Sequence, residues 1–252
     1  MATTTAPEGW LADYAATGST HSSIGIIFVH GFTGSPASMR PWAHFFQEKG
    51  YTVRVPRLPG HGTQWQDLNK VAWQKWPERV AKDLAELRKT CAKVFIFGLS
   101  MGGCTTLNVA EYFDVDGIVL VNPMIHIPGI QGKLVPLLSK FRTGAPSVGD
   151  DIKKPDTTEW GYDVLPIKGV NQLNMMLRIT RQELGRVEIP VLLFHSTEDH
   201  VLPVSNTEII MAGIASTDKV RVELGDSYHV ATLDNDAPTI FATSLNFVER
   251  LS

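Results

Sequence analysis

Cysteine is scarce in this chain: Cys91 and Cys104 are the only two among 252 residues. Two thiols do not make a disulfide framework, and neither stands in a CxxC or other metal-ligand spacing. Cys104 falls one helical turn after Ser100, where a small buried packing residue is expected. Charge of one sign is lacking as well. Lys and Arg number 23 against 26 Asp and Glu, for a net charge of −3, so there is no basic footprint for nucleic acid. No Lys/Arg-rich run is present that would hold an anionic membrane. Long apolar runs are missing too: the most apolar stretches, Ile24–Val29 and Gly117–Val121, fall far short of the roughly 20 residues that cross a bilayer. Met1–Trp10 has no basic start and no apolar stretch, so no secretory signal is expected there and a cytoplasmic location is the default. What remains is ordinary: 43% hydrophobic and 19% charged residues in a length that suits one large domain.

Apolar runs of strand length alternate with amphipathic segments of helix length, which predicts an α/β protein with a mostly parallel sheet covered by helices. The predicted strands are Ile24–His30, Tyr51–Pro56, Lys93–Phe97, Gly117–Asn122, Val191–His195 and Val220–Leu224. Their Val, Ile, Leu and Phe content is that of strands buried on both faces. Helices are predicted over Ser38–Lys49, Trp73–Thr90, Met101–Phe113, Asn206–Ile214 and Pro238–Leu251, and one or two opening antiparallel strands within Trp10–Ser23. The rhythm breaks between Met124 and Glu188, where prolines and glycines crowd around two apolar patches, Ile125–Phe141 and Leu173–Ile179. A segment this long is normally functional rather than slack. It predicts a cap of short helices at 124–187, inserted into a core formed by 1–123 and 188–252.

Gly98-Leu99-Ser100-Met101-Gly102 follows a predicted strand and opens a predicted helix. GxSxG in that context is a nucleophile elbow, whose glycines allow the sharp turn that lifts the serine hydroxyl. Chance alone would produce the pattern about 0.1 times in such a chain, so the strand-then-helix context carries most of the weight. Acyl transfer also needs two donors aimed at the developing oxyanion. Here they are expected from the backbone amides of Met101 and of Phe32, in the loop His30-Gly31-Phe32-Thr33-Gly34. His30 is expected to brace that loop, and His61, in Leu58–Gly62, to brace the pocket.

This architecture orders its triad Ser, then Asp or Glu, then His. His229 is the expected general base, and Asp199 the carboxylate that orients it, with Glu198 and then Asp226 as competitors. His200 has no second ligand at a recognisable spacing, so no metal site is expected. Neither metal nor cofactor is called for. Activity should fall as His229 becomes protonated, at or below about pH 6.5. These features predict a serine hydrolase of the α/β-hydrolase fold that cleaves carboxylic esters.

In His30–Gly34, Leu58–Gly62, Gly98–Gly103, Glu198–Pro203 and Ser227–Asp234 the chain resembles bacterial monoacylglycerol lipases and their carboxylesterase relatives, the Bacillus-type lipases in particular. The resemblance runs from Gly25 to Arg250. It implies Ser100, Asp199 and His229 as triad, the Phe32 and Met101 amides as oxyanion hole, and cleavage of monoacylglycerols. The alternative is a broad carboxylesterase for short, medium-chain or aromatic esters. It further implies a cap carboxylate that contacts glycerol, a role that falls on Glu159 within Asp156–Tyr162. Ile125, Ile127, Ile130, Leu134, Val135, Leu138, Met175 and Met176 would wall the acyl chain, although plain packing of cap on core predicts the same composition. Beyond the ester substrate, the expected partners are at most a lipid surface in transient contact and, for a dimer rather than a monomer, a second copy.

Overall fold

A computed structural model describes residues 5–127, 129, 131–147 and 149–252, with the side chains of 131–133 outside the description. In chain order the elements are β1 (Tyr14–Ala16), β2 (His21–Val29), α1 (Arg40–Glu48), β3 (Tyr51–Val55), α2 (Trp65–Leu68), α3 (Lys75–Leu87), β4 (Lys93–Leu99), α4 (Met101–Ala110) and β5 (Gly117–Val121). They continue with α5 (Gln131–Leu138), β6 (Gly144–Pro146), β7 (Val164–Pro166), α6 (Ile167–Glu183), β8 (Val191–Ser196), α7 (Ser205–Gly213), β9 (Lys219–Leu224) and α8 (Ala237–Leu251). Seven strands form one sheet in the order β1-β3-β2-β4-β5-β8-β9. Every neighbouring pair in it is parallel except β1 with β3. This is the α/β-hydrolase architecture expected from the sequence, with a single opening antiparallel strand.

The central strands are apolar through their middles because both faces are covered. Alternate residues point to opposite faces, so Ile27, Val29, Ile96, Ile118, Leu120 and Leu193 share a core with Trp76, Leu84, Leu107, Met176 and Ile210 of α3, α4, α6 and α7. Ile26, Phe28, Phe95, Phe97, Val119 and Phe194 face the other way, onto Trp42 and Phe46 of α1 and Phe247 and Val248 of α8. The strands run in one direction, so their carboxyl ends gather the loops after β2, β4, β5, β8 and β9 at one edge.

The segment between β5 and β8 departs from the expected cap of short helices. It holds the short helix α5, a two-stranded antiparallel pair β6–β7, and the 17-residue helix α6. Val170, Leu173, Met176, Leu177 and Thr180 recur at helical spacing and are buried, which makes α6 amphipathic over its whole length. α6 packs on α4, so much of this segment's apolar content serves the core. Met176 and Ile125, expected in an acyl-chain wall, are fully buried core residues. Val135 is buried and Ile127 is half-buried against the core. Leu134, Leu138 and Met175 are 42%, 44% and 38% exposed. Ile130 lies outside the described residues.

Candidate active site

Ser100 closes β4 and caps α4 with φ 56° and ψ −119°, a conformation that costs a non-glycine residue free energy and clusters at functional sites. The turn is tight enough that a Cβ on Gly102 would lie 2.1 Å from the Val29 carbonyl oxygen. The neighbouring strand pins it: the Ser100 N–H donates to the Val121 carbonyl (3.0 Å), and the Met124 N–H donates to the Ser100 carbonyl (3.0 Å).

Three loops then converge. His229 Nε2 lies 2.9 Å from Ser100 Oγ, and His229 Nδ1 lies 2.8 Å from Asp199 Oδ2. An ionised carboxylate only accepts, so Nδ1 carries the ring proton and Nε2 keeps its lone pair for the serine hydroxyl. The other Asp199 oxygen accepts the Val201 and Leu202 N–H groups at 2.8 Å each, so the turn that follows holds the carboxylate still. Gly31 runs directly beside the serine: a Cβ there would stand 3.4 Å from Ser100 Cβ. Among the described residues neither the Phe32 nor the Met101 N–H has an intramolecular acceptor. His30 Nε2 accepts the Leu58 N–H (3.1 Å) while Nδ1 donates to the Gly31 carbonyl (2.9 Å). Burial lowers its pKa to about 4, so it braces the loop as a neutral ring. His61 is buried in the adjacent turn, with Nδ1 3.2 Å from the Pro59 carbonyl oxygen.

With this geometry in place, the comparisons with known proteins are decisive about kinship. Residues 21–236 match the family Hydrolase_4, described as serine aminopeptidase, S33. This chain belongs to that family. The hydrolase is 42% identical over 234 residues to a thermostable monoacylglycerol lipase of Bacillus sp. (strain H-257), covering 90% of this chain and 91% of that one. It is 23% identical to a carboxylesterase of Bacillus subtilis (strain 168), across 90% of this chain and 92% of that one. A solved structure from the metagenome-derived lipolytic enzymes LipS and LipT superposes with a TM-score of 0.91 at 36% identity, covering 96% of this chain and 98% of that one.

In this hydrolase the charges around the imidazole favour its protonated form. Burial alone would lower the His229 pKa, but the hydrogen bond and charge of Asp199, with the charges of Glu159 and Asp151, outweigh it and hold the pKa above the ordinary histidine value. Burial acts against Asp199 as well, yet the His229 ring and the Leu202 and Val201 amides keep its pKa below the usual carboxylate value. Glu159 sits over the loop after β2, its Oε2 3.2 Å from where a Cβ on Gly34 would be. Desolvation raises its pKa to about 7, against the opposing pull of His229. Tyr162 ties this strand of chain down: its N–H donates to the Thr33 carbonyl (3.0 Å), and its hydroxyl donates to the Gly60 carbonyl (2.8 Å).

The two competing carboxylates lie elsewhere. Glu198 and Asp226 both pair with Lys153, at 3.2 and 3.1 Å. His200 Nδ1 lies 2.9 Å from Asp151 Oδ1. Three supporting residues were not found from sequence. Asn122 directly follows β5 with φ 43°, and its Nδ2 donates to the His229 carbonyl (2.8 Å) and to Ser196 Oγ (2.9 Å). Asp234 accepts the N–H groups of Lys153, Lys154, Tyr228 and Asn235 at 2.7–2.9 Å. Asp151 accepts the N–H of His229 at 3.0 Å. An Asn at a strand's carboxyl end was the only available signal, since asparagine tolerates the left-handed region.

Proposed function

We propose that this serine esterase cleaves monoacylglycerols to fatty acid and glycerol through an acyl-enzyme. The Ser100 oxygen attacks the ester carbonyl as its proton passes to His229 Nε2, and the oxyanion is held by the Phe32 and Met101 amides. The bond to the glycerol oxygen breaks as His229 returns that proton to it. Water then repeats the sequence on the acyl-enzyme and releases the acid, restoring the Ser100 hydroxyl. Asp199 keeps the ring in its working tautomer throughout. Residues 124–187 serve as the cap, rooted on the core through α6, and Glu159 takes a glycerol hydroxyl. The observation that carries this reading is the unbroken hydrogen-bonded line from Ser100 Oγ through His229 to Asp199. The 42% identity to a monoacylglycerol lipase supports the substrate.

A fluorophosphonate probe is expected to label Ser100 and to leave the Ser100→Ala protein unlabelled. A folded parent protein that resists the probe refutes the nucleophile. For the substrate, hydrolysis of a medium-chain monoacylglycerol is to be compared with that of its methyl ester, the glycerol ester being preferred. Equal rates favour a second reading, a broad carboxylesterase, which draws support from Leu138 and Met175: both are too exposed to enclose an acyl chain by themselves. The described residues include no helix long and apolar enough to cross a membrane. We place the enzyme in the cytoplasm, where its two free buried thiols are at home, acting as a monomer or dimer with transient contact to lipid surfaces.

A further inference from the structure

Outside the relay one carboxylate touches both loops that supply it. Asp151 belongs to the segment between β5 and β8, not to either loop. Its Oδ2 accepts the N–H of His229 at 3.0 Å and that of His200 at 3.3 Å. Its Oδ1 lies 2.9 Å from His200 Nδ1, and its carbonyl accepts the Val230 N–H at 3.1 Å. Every one of these bonds lands on His229 itself or on the residue next to His229 or Asp199. The Asp151 side chain is 11% exposed, so its bonds face little competition from water. The preceding residue faces the other way. Asp150, at φ 52°, accepts the Glu159 N–H and the Thr158 hydroxyl through its two carboxylate oxygens, both at 2.7 Å.

We propose that Asp151 is a positioning residue for the reaction: one carboxylate locks the loop of the base and the loop of the acid to the inserted segment that also carries Glu159. The proposal rests on the reading of Ser100, His229 and Asp199 as a proton relay. Relay distances near 2.9 Å must survive the attack and collapse of the tetrahedral intermediate, and small misplacements of such groups cost about 10²-fold in rate. Two backbone N–H groups held by one acceptor fix the entry of the His229 side chain more firmly than the imidazole–carboxylate bond alone. The adjacent Asp150–Glu159 bond means that the head-group end of the site and the relay share one anchor.

The charge has a separate consequence. The charged groups acting on His229 are Asp199, Glu159 and Asp151. His200 pairs with Asp151, and Lys153 pairs with Glu198 and Asp226. Taking away the Asp151 charge removes one of three anions that favour the imidazolium, so the ring loses its proton at lower pH.

Steady-state hydrolysis of a soluble p-nitrophenyl ester, followed against pH, tests this with Asp151→Ala and Asp151→Asn. Asp151→Ala is expected to lower kcat about 10- to 100-fold with KM within about threefold. Asp151→Asn keeps an oxygen acceptor and is expected to recover most of kcat on the alkaline plateau, with its acidic limb displaced to lower pH. A residue that merely stabilised the fold would leave that limb in place. An Asn variant whose acidic limb coincides with the parent's overturns the proposal even where the Ala variant does not fold. So does a folded Ala variant with kcat within about threefold of the parent. Fluorophosphonate labelling of the parent separates the two failures. An unlabelled Ser100 sinks the relay and this proposal with it, whereas a labelled Ser100 with an unmoved limb sinks Asp151 alone.

Discussion

In the proposed relay His229 has to be neutral to accept the proton of Ser100, so the groups that raise its pKa set the acidic limit of activity. Because Asp199, Glu159 and Asp151 together outweigh desolvation, the limb of kcat/KM is expected above pH 6.5, the ordinary value, and not at or below it as the sequence alone predicts. A midpoint at or below about 6.5 in a pH-rate profile contradicts this balance of charges. Asp199→Asn takes away the acceptor that keeps the proton on Nδ1, and turnover should fall by roughly 10⁴. At a pH above about 7, where Glu159 is ionised, Glu159→Gln removes a charged hydrogen-bond partner for glycerol. KM for a monoacylglycerol should rise by about tenfold or more, as loss of a charge-assisted bond allows, with the methyl ester unaffected. Equal changes in both would detach Glu159 from the head group. Ser100, Asp199 and His229 were legible because their residue types are rare in those turns and the fold orders them along the chain. Asn122, Asp151 and Asp234 were not, because an Asn or Asp holding backbone amides has no signature until the amides it holds are known.

Helix α4 leaves the elbow and is buried along its whole length, which makes its contacts strict. The Gly102 approach to the Val29 and His30 carbonyls is backbone against backbone, so Gly102→Ala should destabilise the protein by more than about 1–3 kcal/mol, the usual cost of overpacking a core. Little change in thermal midpoint would contradict so close a contact. At the other end of α4, Glu111 is buried among Asn108 and, through it, Thr180 of α6. Its Oε1 has no partner among the described residues. Burial first, and then the neighbouring Glu183, raise its pKa to about 8. The folded protein therefore holds a proton that the unfolded chain releases near its ordinary carboxylate value, and stability falls as pH rises between the two values. Glu111→Gln removes this dependence. Its thermal midpoint should match the parent's at acidic pH and exceed it increasingly towards pH 8, and a constant difference across that range would refute the shift. α6 itself was hidden from sequence inspection. Its helical spacing sits inside a stretch rich in glycine and proline, and the buried partner that selects the helix is α4, far away along the chain.

At the scale of the molecule, two cores on opposite faces of the sheet hold the carboxyl edge rigid while the segment between β5 and β8 lies across it. Among the described residues that segment also holds the two most exposed large apolar side chains, Leu137 at 55% and Phe141 at 80%. Contiguous apolar groups at a surface favour contact with lipid or protein. The double substitution Leu137→Ser with Phe141→Ser should leave hydrolysis of a soluble short-chain ester unchanged and slow that of monoacylglycerol presented in micelles, by about 30-fold if each side chain contributes roughly 1 kcal/mol. Equal rates on both substrates would show that these residues do not meet the lipid.

Local chemistry was enough to set the architecture and to nominate the reacting groups. Strands that are apolar on both faces require helices on both sides, GxSxG after a strand and before a helix requires an elbow, and Asp then His on later loops complete the order. Contacts between distant segments decided the rest. Of three nearby carboxylates only Asp199 meets the imidazole, while Glu198 and Asp226 pair with Lys153, a choice that depends on how the loops fold together. Whether Met176 faces an acyl chain or the core depended on α6 lying on α4. The protonation of His229 and Glu159 depended on burial and on charges from three segments, quantities that have no value until the chain has folded.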